Sequence, residues 1–477
     1  MKKDKLFHLF YTLTPKEVKA FKTFVIGRKP AKINSLVEFL AKHKPNEYNN
    51  FEKIKQKACT KLFPNKENNS QNFRRLIADT LPLLNDFLIL QETKANPALR
   101  RELLQEQYKN RTLSDLLEAA FIENTKLLNE NPERDFHHYD AKVKLLNESF
   151  FYTRYSKTYN EDRLIELIEL QNDLDLGYVI AKLHYRIHQI IHHLVTGNPF
   201  DINSVQQKHE FFKLFEDHPV VHLFTEILRL ALDPNEENYF QLKSLWLKRS
   251  HLLSQNLKLQ YLGKMVNLAW FSLNQNIRIK EIFELYGYGI EAKLLLNSGY
   301  INNNVFNSII DIGTSLKEFD KVRVFVKEYL PFLREGPDQK ENVNNLYEAF
   351  LLFSEGKYEK AFLKSNLLQF SHHSYGLRSY VLIIKCLYET KKVDSYLEIE
   401  ARGTAFRQYL QRKLKQADIV KELYDANVNF IKIASQLPLA SSSKFAKVRP
   451  EELIKKTKAM QRIVSRPWLL EKLEELQ

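Results

Sequence analysis

Helical spacing constrains this 477-residue chain more than any other feature. Apolar residues recur mostly three and four positions apart, in stretches separated by short Asn, Asp and Pro punctuation. The clearest breaks are Asn131-Pro132, Asn172-Asp173, Gly197-Asn198-Pro199, Asp233-Pro234-Asn235, Asn274-Gln275-Asn276, Asn302-Asn303-Asn304 and Glu335-Gly336-Pro337. Strand-like alternation is scarce. Glycine numbers only 12, where average usage gives about 33. Phosphate loops, tight turns and bulges need glycine, so doubly wound nucleotide-binding folds and most all-β folds are disfavoured. The pattern predicts an all-α protein.

The first 95 residues read as a small helical module. Thr14-Pro15-Lys16-Glu17 is a capping box with proline at the first helical position. A helix should follow with Val18, Phe21, Phe24 and Val25 on one face, then a second over 33–42. A third is expected over 51–63, and a fourth from a Ser70 cap to about Gln91, with Pro82 as a kink. Pro97 opens a further helix expected to run to Asn129. The stretch Leu437–Val448 reads as a loop, followed by helices from Pro450 and from Arg466-Pro467-Trp468.

Between Asn345 and Phe370 the chain reads NLYEAFLLFSEGKYEKAFLKSNLLQF. Ala349, Gly356, Tyr358 and Ala361 combine a small residue in a first helix, glycine at the turn, an aromatic two residues on and an alanine three later. Small residues let two antiparallel helices approach, and the aromatic ring fills the gap between them. This segment resembles a tetratricopeptide repeat. Looser copies lie at Lys317–Val322 and Lys391–Asp394, and Leu257–Phe271, with Leu257, Tyr261 and Leu268 inward, suggests another unit upstream. Two positions depart from the family: Glu348 stands where leucine is usual, and His373 where the closing proline would be. The resemblance is clearest over about 300–410. It implies an irregular tetratricopeptide-like array of antiparallel helix pairs, an α-solenoid, behind the N-terminal module. The expected domains are 1–95, a basic helical module; 96–437, the repeat-like array; and 438–477, a basic helical tail.

Charge follows the same division. Formal net charge is +14. Residues 1–90 carry 18 Lys and Arg against 8 Asp and Glu, and residues 439–477 carry 9 against 5. The middle is balanced. Such asymmetry marks either a nucleic-acid or acidic-partner surface, or a solvated lysine-rich one. Two cysteines, Cys59 and Cys386, cannot form a disulfide framework and suit a reducing cytoplasmic setting. The N-terminal apolar stretch is short and interrupted by His8, so it reads as an amphipathic helix, and no membrane span is expected.

Signatures of chemistry are missing. No phosphate loop, G-x-G-x-x-G or G-x-S-x-G occurs. Glu166 and Glu169 stand at helical spacing like a solvated face. His184, His188 and His192 stand four apart beside His193, as KLHYRIHQIIHHL. On a straight helix the first and third are about 12 Å apart, too far for one tetrahedral ion. The pairs His137-His138 and His372-His373 have no ligand geometry. No catalytic, cofactor or metal residue is assigned, and no enzyme is expected.

Two binding functions remain. A stacked array presents a concave face that grips a protein or peptide partner, with Asn344, Asn345, Arg378 and Lys385 as contact residues. Alternatively, the basic module binds nucleic acid. Residues 54–63, a six-residue turn and the helix from Ser70 resemble a helix-turn-helix. Lys53, Lys57 and Lys61 would meet phosphates, and Asn72, Arg74 and Arg75 lie early on the second helix. That turn is longer than usual. The aromatic residues read as core first.

Overall fold

Side-chain caps start several of the helices. In the computed structural model, which describes residues 5–27, 32–43, 51–64, 69–153, 162–198, 210–297, 299–333, 337–366, 368, 373–390, 395–440 and 449–477, helices fill nearly all of these residues. One two-residue hairpin, β1 (Leu296–Asn297) with β2 (Tyr300–Ile301), is antiparallel. The described part of the chain is all-helical, with sequential helices packed in adjacent pairs. It divides into two compact units: residues 1–132 with 140–174, and residues 133–139 with 175–477.

The first unit begins with α1 (Lys5–Phe10) and α2 (Pro15–Val25). Both halves of the predicted capping box form: Thr14 Oγ1 accepts from Glu17 N, and Thr14 N donates to Glu17 Oε2 at 2.7 Å. Then come α3 (Lys32–Lys42), α4 (Phe51–Leu62) and α5 (Asn69–Ala95). Their apolar faces close one core around Phe7, Phe21, Leu36, Leu40, Ala58, Leu84 and Phe87. One expectation is corrected: helix α5 starts at Asn69, so Ser70 lies inside it. As expected, one long helix runs through Pro82, ending at Ala95.

The single helix expected over 97–129 is two: α6 (Pro97–Asn110) and α7 (Ser114–Glu130). Thr112, at φ 58°, reverses the chain between them. No glycine or proline signals this turn, so spacing alone did not reveal it. The break expected at Asn172-Asp173 is also absent. After α8 (Phe136–Thr153), α9 runs unbroken from Asp162 to Thr196, and the division between units falls within it.

The second unit holds a short α10 (Glu210–Lys213) and then successive helix pairs. They are α11 (Pro219–Leu232) with α12 (Glu236–Arg249), α13 (Gln255–Ser272) with α14 (Gln275–Glu291), and α15 (Asn303–Ser315) with α16 (Phe319–Tyr329). Next are α17 (Pro337–Ser354) with α18 (Tyr358–Asn366), and α19 (His373–Glu389) with α20 (Ser395–Lys415). The unit ends with α21 (Lys421–Ala434), α22 (Leu437–Ala440), α23 (Pro450–Ala459) and α24 (Arg466–Glu474). Helix α22 thus occupies the start of the stretch read as a loop; residues 441–448 lie outside the described ones.

At three of the expected breaks an asparagine caps the helix that follows. The side chains of Asn235, Asn274 and Asn302 accept from Asn238 N, Ile277 N and Asn304 N. One cap was not foreseen. Buried Asp135 takes His137 N and His138 N on Oδ1 at the start of α8, and Ser254 N on Oδ2 beside the start of α13. One carboxylate therefore serves two helix N-termini, where both the orphan N–H groups and the helix dipole favour it.

The pairs pack through small residues. A methyl on Gly313 would stand 2.5 Å from Val322 Cγ2 and 2.9 Å from Phe283 Cε2. Ala349 and Ala361 are fully buried where α17 meets α18, and Gly356, at φ 76°, makes the turn between them. The ring of Tyr358 lies 5.2 Å from that of Phe353. Leu257, Tyr261 and Leu268 point inward as expected.

Candidate functional site

The protein-contact residues expected from the sequence lie on two first helices of successive pairs, Asn344 and Asn345 on α17 and Arg378 and Lys385 on α19. Arg378 on α19 reaches across α17 to Asp311 on α15. Its two terminal nitrogens take the two carboxylate oxygens, Nη1 donating to Oδ2 at 2.7 Å and Nη2 to Oδ1. On the way the guanidinium lies 5.0 Å from the Phe350 ring centre and 5.9 Å from that of Tyr347. Burial opposes the charge, and the Asp311 carboxylate more than offsets it, so the Arg378 pKa is raised. Tyr347 is itself buried and donates its hydroxyl to Asn307 Oδ1 on α15.

Lys385 stands two turns further along α19. Its ammonium lies 5.3 Å from the Trp468 ring centre and 5.7 Å from that of Phe353. No ion pair joins it to a carboxylate among the described residues, and burial lowers its pKa to about 8. Trp468 is fixed by its indole N–H, which donates to Glu389 Oε1 at 2.8 Å. Lys472 ion-pairs the same Glu389. Asn344 Nδ2 lies 3.4 Å from Glu348 Oε1, and Asn345 is half-buried beside it on α17. Tyr347 and Trp468 are buried, and Arg378, Lys385, Asn344, Asn345, Phe350 and Phe353 are half-buried. Sequence reading missed Asp311, Phe350, Phe353 and Trp468, because only the packing of distant helices brings them to Arg378 and Lys385.

The histidine row lies on the half of α9 that belongs to the second unit, and its members have different surroundings. His184 is buried against α13 and shares a hydrogen bond of 3.0 Å with the Tyr261 hydroxyl. Burial first, then His188, Lys264 and His137, lowers its pKa to about 4. His188 Nδ1 accepts from Lys264 Nζ at 3.1 Å, while His192 is exposed. His193 Nδ1 meets the Asn198 carbonyl at 2.6 Å. Among the described residues no group of three His, Cys, Asp or Glu is placed to hold a metal ion.

In the first unit, α4 packs against α5. Lys57, Lys61, Arg74 and Arg75 are exposed, and Asn72 is half-buried. Lys61 lies 5.7 Å from the Phe39 ring centre. Arg74 and Arg75 flank buried Phe73 and Leu76 and have no acidic partner among the described residues. Lys53 lies on α4, but its side chain is outside the described residues.

Among the described residues no helix is long and apolar enough to cross a membrane. Comparison of the chain with protein-family models, curated proteins and solved structures finds no match.

Proposed function

We propose that this chain is a non-enzymatic, cytoplasmic interaction scaffold. Its second unit is read as an irregular tetratricopeptide-like array that grips a peptide segment of a partner protein along α15, α17 and α19. The observation carrying this reading is the span of Arg378 over α17 to Asp311, which puts side chains of three successive first helices on one surface. Asn345 and Lys385 are read as the contacts there, since among the described residues neither is tied up in a hydrogen bond or ion pair. Arg378 contributes its ring-flanked face, its terminal nitrogens being held by Asp311.

The test is a photo-crosslinking amino acid placed at Asn345 on α17, or at exposed Lys360 on α18, in the producing cells. A discrete adduct from Asn345, absent from Lys360 and weakened by Lys385→Ala, is expected. Equal adducts from both positions would overturn the reading.

A second reading rests on exposed Lys57, Arg74 and Arg75. The basic module then binds a nucleic-acid backbone, with the helix pairs as a sensor or assembly arm. Nuclease treatment before crosslinking separates the two, because only the second loses its adducts.

A further inference from the structure

Lys264 is an unusual buried cation. It is only 8% exposed, and among the described residues it meets no carboxylate. Its one hydrogen bond goes to His188 Nδ1, 3.1 Å away across the α9–α13 contact. An ammonium has no lone pair to accept with, so this bond requires the imidazole to be neutral. The other imidazole nitrogen, His188 Nε2, is buried and faces the Gln260 side chain.

The surroundings add positive rather than negative charge. The His184 ring is 4.5 Å from that of His188, and His137 at the start of α8 also faces it. Helix α13 supplies Tyr261 and Lys264, and α11 supplies the Phe224 ring. Asp135 is the one carboxylate acting on His184, and both its oxygens are engaged by backbone N–H groups.

We propose that the Lys264–His188 contact is an acid-sensitive latch: a proton gained by His188 sets two cations against each other, and the second half of α9 loosens from α13. Loosening uncovers the apolar face of α9 formed by Val179, Ile180, Leu183, Ile187 and Ile190, all buried when the contact is closed.

The sign follows from proton linkage. Burial holds His184 near pKa 4 and lowers His188 as well, against 6.5 for a free imidazole. The open form therefore binds more protons below about pH 6.5, and opening grows as pH falls. Lys264, held at about 8, is charged in both forms throughout that window and does not reverse the direction. From pH 7.5 to 5.5, His184 alone raises the opening constant about tenfold, and His188 adds to it.

The experiment is hydrogen exchange on the full chain at pH 7.5 and 5.5, with each rate corrected for the intrinsic rate at that pH. Peptides from 176–196 should open at least tenfold more at pH 5.5, and peptides from α17 and α19 should change far less. The His184→Phe, His188→Gln double variant should flatten the response. Lys264→Met, which keeps the bulk of the side chain, should shrink it. A change in α9 under twofold, an equal change in α17 and α19, or an undiminished response in Lys264→Met would overturn the proposal.

Discussion

Arg378 and Asp311 are 67 residues apart in sequence and form a two-pronged pair over the rings of Phe350 and Tyr347. Paired forks of this kind are stronger than neutral hydrogen bonds. Asp311→Asn should destabilise the chain by about 1–2 kcal/mol, and Arg378→Met by a similar amount. Denaturant unfolding of both single variants and the double variant gives the coupling. A coupling energy near zero would mean that the two side chains act independently.

Lys243 on α12 holds two carboxylates of α14, Glu281 and Glu284, the latter at 2.7 Å. Glu281 is 12% exposed and Glu284 62%. Screening by water should therefore separate their weights. Glu281→Gln is expected to cost about 2–3 kcal/mol and Glu284→Gln less than about 1 kcal/mol. Equal costs would refute this division.

His218 meets the Tyr139 hydroxyl at 3.0 Å, and burial followed by Arg134 and Arg249 lowers its pKa to about 4. Its unfolded value is near 6.5. Because the folded pKa is depressed, the unfolded chain takes up the extra proton, so stability is full above about pH 6.5 and falls as pH drops towards 4. His218 should account for about 1 kcal/mol of loss between pH 7 and 5.5. Unfolding of wild type and His218→Gln across that range should show a shallower slope in the variant.

Gly313 and Gly356 serve different ends, and alanine should tell them apart. Gly313→Ala drives a methyl into Val322 and Phe283 and should cost about 1–3 kcal/mol. At Gly356 nothing lies within 4 Å of the new methyl, so only the positive φ is penalised, at about 1 kcal/mol. Thermal unfolding of both variants should rank them in that order.

If the basic module binds nucleic acid, the affinity must fall steeply with salt, because each neutralised phosphate releases counterions. Arg74→Ala with Arg75→Ala should weaken binding by at least tenfold and flatten the salt slope. Binding that ignores salt, or survives the double change, would remove this reading.

The helical class was legible because three-and-four spacing and the shortage of glycine are local signals. The cap at Thr14 was legible for the same reason, its side chain bonding to a backbone only three residues ahead, and the breaks at Asn235, Asn274 and Asn302 were read as breaks though their capping bonds were not. Interruptions were read less well. Asn172-Asp173 looks like a break, yet α9 passes through it, while the reversal at Thr112 carries no glycine. Of the candidate surface, Arg378 and Lys385 were named from the sequence as contact residues. Their partners Asp311, Phe353 and Trp468 were not seen, since no local rule links residues 67, 32 or 83 positions away.

The double cap at Asp135 also bears on how the chain is made. Its two oxygens are claimed by α8 and by Ser254, 119 residues later. During synthesis, every residue between them must emerge before the second oxygen finds its partner. Until then the carboxylate is hydrated or bound on one side only. The double cap therefore forms only once the start of α13 has been made.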